Sequence, residues 1–221
     1  IEQLANDSGS YQHAAARQLA EEGFVTLTPE LRGFGYLGQP FATEHRLVAY
    51  SAILSGTSYK WITLRDLGHA MQVLRALEEV DAERIAVSGA SLGGELAVQY
   101  SALDLAVDAV VFHSFGGQQG IKAPPAGDAA DQPHYCHVLP EIDRLVAQEH
   151  WFWLLAPRPV LGVRGSSNNP FGADDHDRYG EAWLQLGAEA NFELRVAEGG
   201  HEYFVEPAIE FLARVFTPQS P

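Results

Sequence analysis

One short segment restricts the possible folds of this chain more than any other. Residues 84–94 read Arg-Ile-Ala-Val-Ser-Gly-Ala-Ser-Leu-Gly-Gly, so that a short apolar run leads into Gly89-Ala-Ser91-Leu-Gly93 and then into a helix-prone stretch. A serine in a Gly-x-Ser-x-Gly pattern is typical of a sharp strand-to-helix turn that lifts the hydroxyl clear of a sheet. The flanking glycines tolerate the strained backbone of such a turn. We therefore predict that Ser91 is a nucleophile at the end of a buried strand.

The rest of the chain alternates between segments of helical and of strand character. Near-continuous apolar strands separated by helices are typical of a parallel sheet that is covered on both faces. The sequence therefore predicts an α/β fold, with a single domain over residues 1–221. The predicted strands are 24–28, 85–88, 107–112, 159–163 and 192–196, and the predicted helices are 11–22, 47–54, 62–79, 92–103, 145–155, 177–186 and 207–216.

Charge and cysteine content exclude several classes of partner and site. The formal net charge of −15 argues against nucleic acid and anionic membrane surfaces as partners. The single cysteine, Cys136, can form no internal disulfide, and no cysteine cluster suggests a zinc site. No apolar run reaches the length of a membrane span. No signal peptide is visible, so we expect a cytoplasmic or a secreted protein without deciding between them.

A histidine late in the chain is the predicted partner of Ser91. Reactive groups of a parallel sheet gather on loops at the carboxyl ends of its strands. The loop after the last predicted strand contains Gly199-Gly200-His201, and the order serine, acid, histidine along the chain is the one expected for a triad on this type of sheet. We predict that His201 accepts the Ser91 proton during attack and returns it to the leaving group.

The oxyanion that such an attack creates needs hydrogen-bond donors. We predict the backbone N–H of Leu92 as the first donor, because it follows the nucleophile and lies at a helix N-terminus. A second donor normally comes from the loop after an earlier strand. That loop would precede the predicted helix at 11–22, where the sequence has almost no residues. Either the second donor lies upstream on a longer product, or the chain supplies it differently.

The acid that should orient His201 is the least certain member of the triad on sequence grounds. Asn168 stands where the acid is expected, a few residues past the fourth predicted strand. Asparagine can orient a histidine but cannot stabilise an imidazolium by charge. Asp174, Asp175 and Asp177 follow, and a lengthened loop could bring one of them back, although acids are also common at a helix N-terminus. We select Asp174 as the predicted acid and leave the other three residues open.

A long loop is expected to form one wall of the substrate site. Residues 113–140 are rich in glycine and proline and are longer than a connection between two elements needs. Phe115, His134 and Tyr135 are the predicted substrate-binding residues of this loop. The alternative interpretation is a packed Ω-loop that has no contact with substrate.

Several segments together resemble the α/β-hydrolase superfamily, and within it the acetyl xylan esterase-like and dienelactone hydrolase-like enzymes. They cover nearly the whole chain and include residues 18–35 with their Arg-Gly-Phe-Gly ending, Ser91-Leu-Gly-Gly, residues 134–140, Ala156-Pro-Arg-Pro159 and Gly199-Gly-His201. The resemblance implies a three-layer sandwich around a mostly parallel sheet, here without the family's N-terminal strands and oxyanion loop. It also implies a serine esterase that forms an acyl-enzyme with small acyl groups, such as acetyl esters on sugars, without a cofactor or metal.

Two features depart from this family, and two other functions stay open. The family's aspartate aligns with Asn168, and dienelactone hydrolases proper use cysteine where this chain has Ser91. The expected partner is a small-molecule or carbohydrate ester. A serine peptidase of the same fold and a catalytically weakened binding module are the alternatives. A homo-oligomer could complete a sheet edge that missing strands leave open.

Overall fold

The computed structural model describes residues 2–38, 45–116, 135–140 and 142–217. Within these ranges no helix is long and apolar enough to span a membrane. The described strands are β1 (Ala86–Ala90), β2 (Ala109–His113), β3 (Val160–Gly165) and β4 (Phe192–Ala197). The described helices are α1 (Glu2–Ala5), α2 (Ala15–Glu21), α3 (His45–Leu54), α4 (Tyr59–Arg75), α5 (Leu92–Leu103), α6 (Ile142–Leu145), α7 (Gln148–Trp153), α8 (Asp175–Leu186) and α9 (Val205–Phe216).

The four strands form one parallel sheet in the order β1-β2-β3-β4. Every residue of β2 and β3 is buried, whereas β1 and β4 at the two edges are mostly half-buried. Because all strands run the same way, the loops that follow them emerge at one edge of the sheet. The residues after β1, β3 and β4, on which the predicted triad lies, are therefore brought to the same side of the molecule.

Helices cover both faces of this sheet. One face packs against α4, α5, α7 and α8 through a buried cluster that includes Leu96 and Trp183. The other face packs against α2 and α9 through a second cluster that includes Leu19 and Phe211. The near-continuous apolar strands reflect this double coverage. The predicted α/β-hydrolase sandwich, with a mostly parallel central sheet and without the N-terminal strands, is confirmed for the described part of the chain.

The predicted strand at 24–28 is wrong. The segment belongs to no described strand; its backbone contributes the bond from Phe24 N–H to the carbonyl of Leu19, 3.2 Å long. Val25 and Leu27 are 48% and 42% exposed. A cavity of about 2250 Å³ is lined by residues 24–31 on one side and by residues 85–91 of the β1 region on another. A strand requires a neighbouring strand that forms hydrogen bonds with its N–H and C=O groups. Among the described strands, β2 is the one that pairs with β1, so residues 24–28 do not extend the sheet.

Three predicted helices differ from the observed ones by more than two residues at one end or more. The helix predicted at 11–22 begins only at Ala15, because His13 and Ala14 adopt left-handed backbone angles, with φ of 52° and 51°. The helix predicted at 62–79 is α4, whose earlier start is capped by the Ser58 hydroxyl accepting from the backbone N–H of Trp61 at 3.1 Å. The helix predicted at 145–155 is divided between the short α6 and α7. Residues 117–134 of the predicted long loop lie outside the described residues.

Candidate active site

Ser91 occupies a strained turn between β1 and α5. Its backbone angles are φ 58° and ψ −121°, a region that non-glycine residues rarely adopt. The turn is held by hydrogen bonds from the Ser91 N–H to the carbonyl of His113 (2.9 Å) and from the Glu95 N–H to the carbonyl of Ser91 (3.0 Å). A Cβ atom at position 89 would lie 2.4 Å from the backbone of Gly93, so only glycine fits beneath the turn. The strand-to-helix turn predicted from the sequence is therefore present at Ser91.

His201 follows β4 and lies on the wall of the cavity that also contains Ser91. Its Nδ1 atom is 2.7 Å from Nδ2 of Asn168. Burial, followed by the positive charge of Arg164, lowers the pKa of His201 below its ordinary value. The imidazole is therefore neutral at neutral pH, which is the state in which it can accept a proton from a hydroxyl.

The amide of Asn168 can orient His201 in only one of its two rotations. In the described rotation its NH₂ group faces Nδ1, which would place the imidazole proton on Nε2. With the amide turned over, its oxygen accepts a hydrogen bond from Nδ1–H, and Nε2 is free to take the Ser91 proton. Catalysis by this pair requires the second rotation.

The structure brings Asn168, and not the predicted acid Asp174, to His201. Asp174 lies directly before α8 and is exposed. Asp175 is buried, but its carboxylate accepts hydrogen bonds from the Gly172 N–H and from Arg178, both at 2.7 Å. Asp177 is exposed in the first turn of α8. These three acidic residues lie at the N-terminus of α8, which is the alternative interpretation that the sequence left open.

The structure describes some of the predicted oxyanion and substrate residues. Leu92 is the first residue of α5, lines the cavity and packs against the cluster that contains Tyr59 and Cys136. Phe115 also lines the cavity and packs against Phe112 and Phe152, with ring centroids 6.2 and 6.1 Å apart. The backbone of Tyr135 begins a 3₁₀ turn over Tyr135–His137, and His134 lies outside the described residues. No group of His, Cys, Asp and Glu suited to a metal ion occurs among the described residues.

A buried charge cluster, which sequence reasoning missed, lies one helical turn beyond Ser91. The side chain of Lys60 is 1% exposed, and its ammonium group donates to Glu95 Oε1 at 2.5 Å and to the carbonyl of His137 at 2.6 Å. The second oxygen of Glu95 is hydrogen-bonded to the imidazole of His137. Burial opposes ionisation of Glu95, but the bond to His137 and the charge of Lys60 leave its pKa below the ordinary value. No sequence signal links these residues, because they are far apart along the chain.

The charge of His137 predicts that stability falls at alkaline pH. Burial alone would lower its pKa, but hydrogen bonds to Cys136 and Glu95 raise the pKa of His137 to about 9. Since the raised pKa favours the cation in the folded state, its contribution is complete below the unfolded value of about 6.5 and is lost as pH rises through about 9.

We therefore expect the difference in melting temperature between the wild type and His137→Asn to shrink over that pH range. The side chain is 35% exposed, so solvent screening keeps the difference small, with about 2–4 °C for each kcal/mol lost. Calorimetry across this pH range measures it. A difference that stays constant would contradict the assignment of charge to His137.

Comparisons with known proteins agree with the fold. The profile of the family described as "Dienelactone hydrolase family" matches residues 8–151, which is more than half of the chain. No curated protein matches the chain in sequence.

Solved structures share the fold at low sequence identity. A Bacteroides fragilis protein assigned as an acetyl xylan esterase has a TM-score of 0.73 and 19% identity over 90% of this chain and 55% of its own. The methylesterase BT1017 has a TM-score of 0.63 and 20% identity over 85% of this chain and 40% of its own. A glucuronoyl esterase from Solibacter usitatus has a TM-score of 0.53 and 16% identity over 72% of this chain and 49% of its own. The chain thus spans about half the length of these neighbours.

Proposed function

This chain belongs to the dienelactone hydrolase family of the α/β-hydrolase superfamily, and we propose that it is a serine esterase for carboxylic esters with small acyl groups. The hydroxyl oxygen of Ser91 attacks the ester carbonyl while Nε2 of His201 takes the hydroxyl proton. The C–O bond to the leaving alcohol then breaks, and His201 gives the proton to that alcohol. Water, deprotonated by the same imidazole, releases the acid from the acyl-enzyme.

The observation that supports this proposal is that a strained serine and a histidine in contact with Asn168 line the same cavity. Ser91 has a positive φ on the turn into α5, and His201 is held at Nδ1 by Asn168. Strain at a single non-glycine residue costs about 1–3 kcal/mol and persists mainly at functional sites. A purely structural turn at this position would gain nothing from placing a serine there.

The N-terminus of α5 supports charge development in the tetrahedral intermediate. Leu92 is the first helical residue, and α5 runs for 12 residues, so its first N–H groups carry the positive end of a helix dipole. We propose the N–H of Leu92 as the first oxyanion donor. A backbone N–H aimed at the developing oxyanion typically contributes about 10²–10³ in kcat. The second donor stays an open prediction.

The family and the cavity support a proposal for the substrate class. The neighbours above are named for acetyl xylan, glucuronoyl and methyl esters, so carbohydrate esters with a small acyl or alkyl group are the substrates we propose. Phe115 is proposed as an apolar wall for the acyl group, because its ring is supported from behind by two other aromatic rings. His134 and Tyr135 stay predicted substrate contacts on the same loop.

Acyl transfer can be tested with two measurements. The wild-type protein is expected to hydrolyse p-nitrophenyl acetate and to be labelled stoichiometrically by a fluorophosphonate, with the label on the peptide that contains Ser91. Labelling on any other residue would refute the nucleophile assignment. A panel of peptide amides separates the peptidase alternative, since amide cleavage faster than ester cleavage would favour it. A protein that neither turns over esters nor takes the label would be a binding module instead.

A further inference from the structure

An aromatic side chain that the proposed mechanism does not use lies beside His201. It is Tyr11, from the loop before α2, whose ring centroid is 6.3 Å from that of His201, with an angle of 34° between the two ring planes. Tyr11 lines the cavity that also contains Ser91 and Leu92. The residue is 42% exposed, so a large part of it can be reached by a molecule in that cavity.

Hydrogen bonds within the loop hold the backbone on which Tyr11 stands. The Ser10 hydroxyl lies 2.9 Å from the carbonyl oxygen of Asp7 and 3.2 Å from that of Gln3. The Asp7 carboxylate accepts from the Gly9 N–H at 3.0 Å, which closes the turn before Tyr11. These local bonds define where the Tyr11 side chain leaves the backbone, without any help from a ligand.

The loop of Tyr11 is also joined to the loop of His201. The Tyr203 N–H donates to the carbonyl of Tyr11 at 2.8 Å. In the same pair of loops, Nε2 of His13 lies 2.6 Å from Oε2 of Glu202. Because Glu202 and Tyr203 directly follow His201, both contacts are made next to the histidine. The position of the Tyr11 ring beside His201 is therefore fixed by the backbone as well as by the two rings.

In the proposed reaction, the part of an ester that lies next to His201 is the leaving alcohol. His201 gives its proton to the oxygen of that alcohol, and such a transfer needs the two atoms within about 2.6–3.2 Å of each other. The acyl group is bonded to Ser91 once the alcohol has left, and Phe115 is its proposed wall. A ring beside His201 is therefore placed to contact the alcohol rather than the acyl group.

The chemistry of the Tyr11 side chain matches that of a sugar ring. A tyrosine offers an apolar ring face and, at its tip, a hydroxyl that can donate and accept hydrogen bonds. A pyranose has the same division, with C–H groups on its faces and hydroxyls around its rim. The Tyr11 hydroxyl has no hydrogen-bond partner among the described residues, so it is available to a ligand.

We propose that Tyr11 binds the alcohol part of the substrate, and that this alcohol is a sugar whose apolar face lies on the tyrosine ring. The proposal rests on the esterase function proposed above and narrows it. Among carbohydrate esters, it favours those in which a sugar oxygen carries the acyl group. In an ester of a uronic acid with a small alcohol, the sugar is the acyl part and lies away from Tyr11. Tyr11 is thus a substrate-binding residue that contributes to the choice of ester.

Hydrolysis of two acetates with different alcohols tests this contact. Triacetylated methyl β-xylopyranoside and ethyl acetate share the acyl group, but only the first has an alcohol large enough to cover the Tyr11 ring. Tyr11→Leu should lower kcat/KM for the sugar acetate by about 5- to 10-fold, through KM, since covering one ring face is about half of a full side-chain burial. Hydrolysis of ethyl acetate should not change. An equal loss with both acetates, or no loss with either, would overturn the proposal.

Two further variants separate the ring contact from other effects. Tyr11→Phe keeps the ring face and removes only the hydroxyl, so it should retain most of the wild-type preference for the sugar acetate. A loss as large as that of Tyr11→Leu would overturn the ring contact. Tyr50→Leu is the matched control, because Tyr50 is 50% exposed on α3 and does not line the cavity. This control should hydrolyse both acetates like the wild type.

Binding without turnover separates this proposal from the esterase function. In Ser91→Ala the sugar acetate should stay intact, and an NMR titration of that protein gives its Kd. Adding Tyr11→Leu should raise this Kd by about 5- to 10-fold. An unchanged Kd, or no binding of the sugar acetate, would overturn the contact even in an active esterase. A raised Kd, in a protein whose wild type cleaves no ester, would support the contact and refute the proposed function instead.

Discussion

Replacement of Ser91 by alanine is expected to lower kcat/KM for p-nitrophenyl acetate by about 10³-fold or more, because loss of a catalytic nucleophile removes nearly all of the acceleration that the site supplies. The remaining rate should be that of water attack assisted by Leu92 N–H and His201. Fluorophosphonate labelling should disappear in the same variant.

Stability measurements separate this loss from misfolding. Alanine at position 91 must adopt the same φ of 58°, so the turn keeps its strain and the melting temperature should change little. Ser55→Ala, at an exposed position directly after α3, is the control for removing a serine hydroxyl elsewhere. A Ser91→Ala protein that keeps more than a tenth of the wild-type rate would show that the nucleophile is another residue.

Replacement of Asn168 by aspartate is expected to raise kcat by about 10²- to 10⁴-fold, since the reverse change in a serine triad costs about 10⁴-fold. The carboxylate would accept from Nδ1–H in either rotation and so select the tautomer that leaves Nε2 free. It would also stabilise the imidazolium that forms when Ser91 is deprotonated.

The same substitution should move the acid limb of the pH–rate profile upward. In the wild type, burial and Arg164 lower the pKa of His201, and the neutral base is available down to low pH. A carboxylate beside Nδ1 favours the cation and raises that pKa, so Asn168→Asp should need a higher pH to reach its plateau. Asn169→Asp adds the same charge one residue away and should change neither kcat nor the limb. A lower kcat in Asn168→Asp would indicate that Asn168 orients His201 better than a carboxylate can.

The elements that were predicted well are those whose burial pattern is local. The helix predicted at 92–103 coincides with α5, and the strands predicted at 85–88, 107–112, 159–163 and 192–196 agree with β1 to β4 within two residues at each end. In each, runs of apolar side chains with the period of a strand or helix record which faces are buried. This periodicity can be read from the sequence without knowing which elements are neighbours in the sheet.

The strand predicted at 24–28 failed because strand formation is not local. Its alternation of apolar and polar residues fits a strand, but the hydrogen bonds of a strand come from a neighbour. In the described structure the cavity stands on the side of β1 where that neighbour would lie. The start of α2 was displaced because His13 and Ala14 adopt left-handed backbone angles, which the helical pattern of the sequence does not reveal.

The sequence by itself determined the parallel sheet with helices on both faces, the sharp turn at Ser91 and the place of His201 after the last strand. These depend on side-chain periodicity, on glycines beside a close backbone approach, and on the order of elements along the chain. Only the tertiary structure decided that Asn168 rather than Asp174 meets His201, that Lys60, Glu95 and His137 share one buried cluster, and that His13 faces Glu202. Such pairings depend on which loops meet at the carboxyl edge of the sheet, and spacing along a chain does not encode distance between loops that fold back from separate strands.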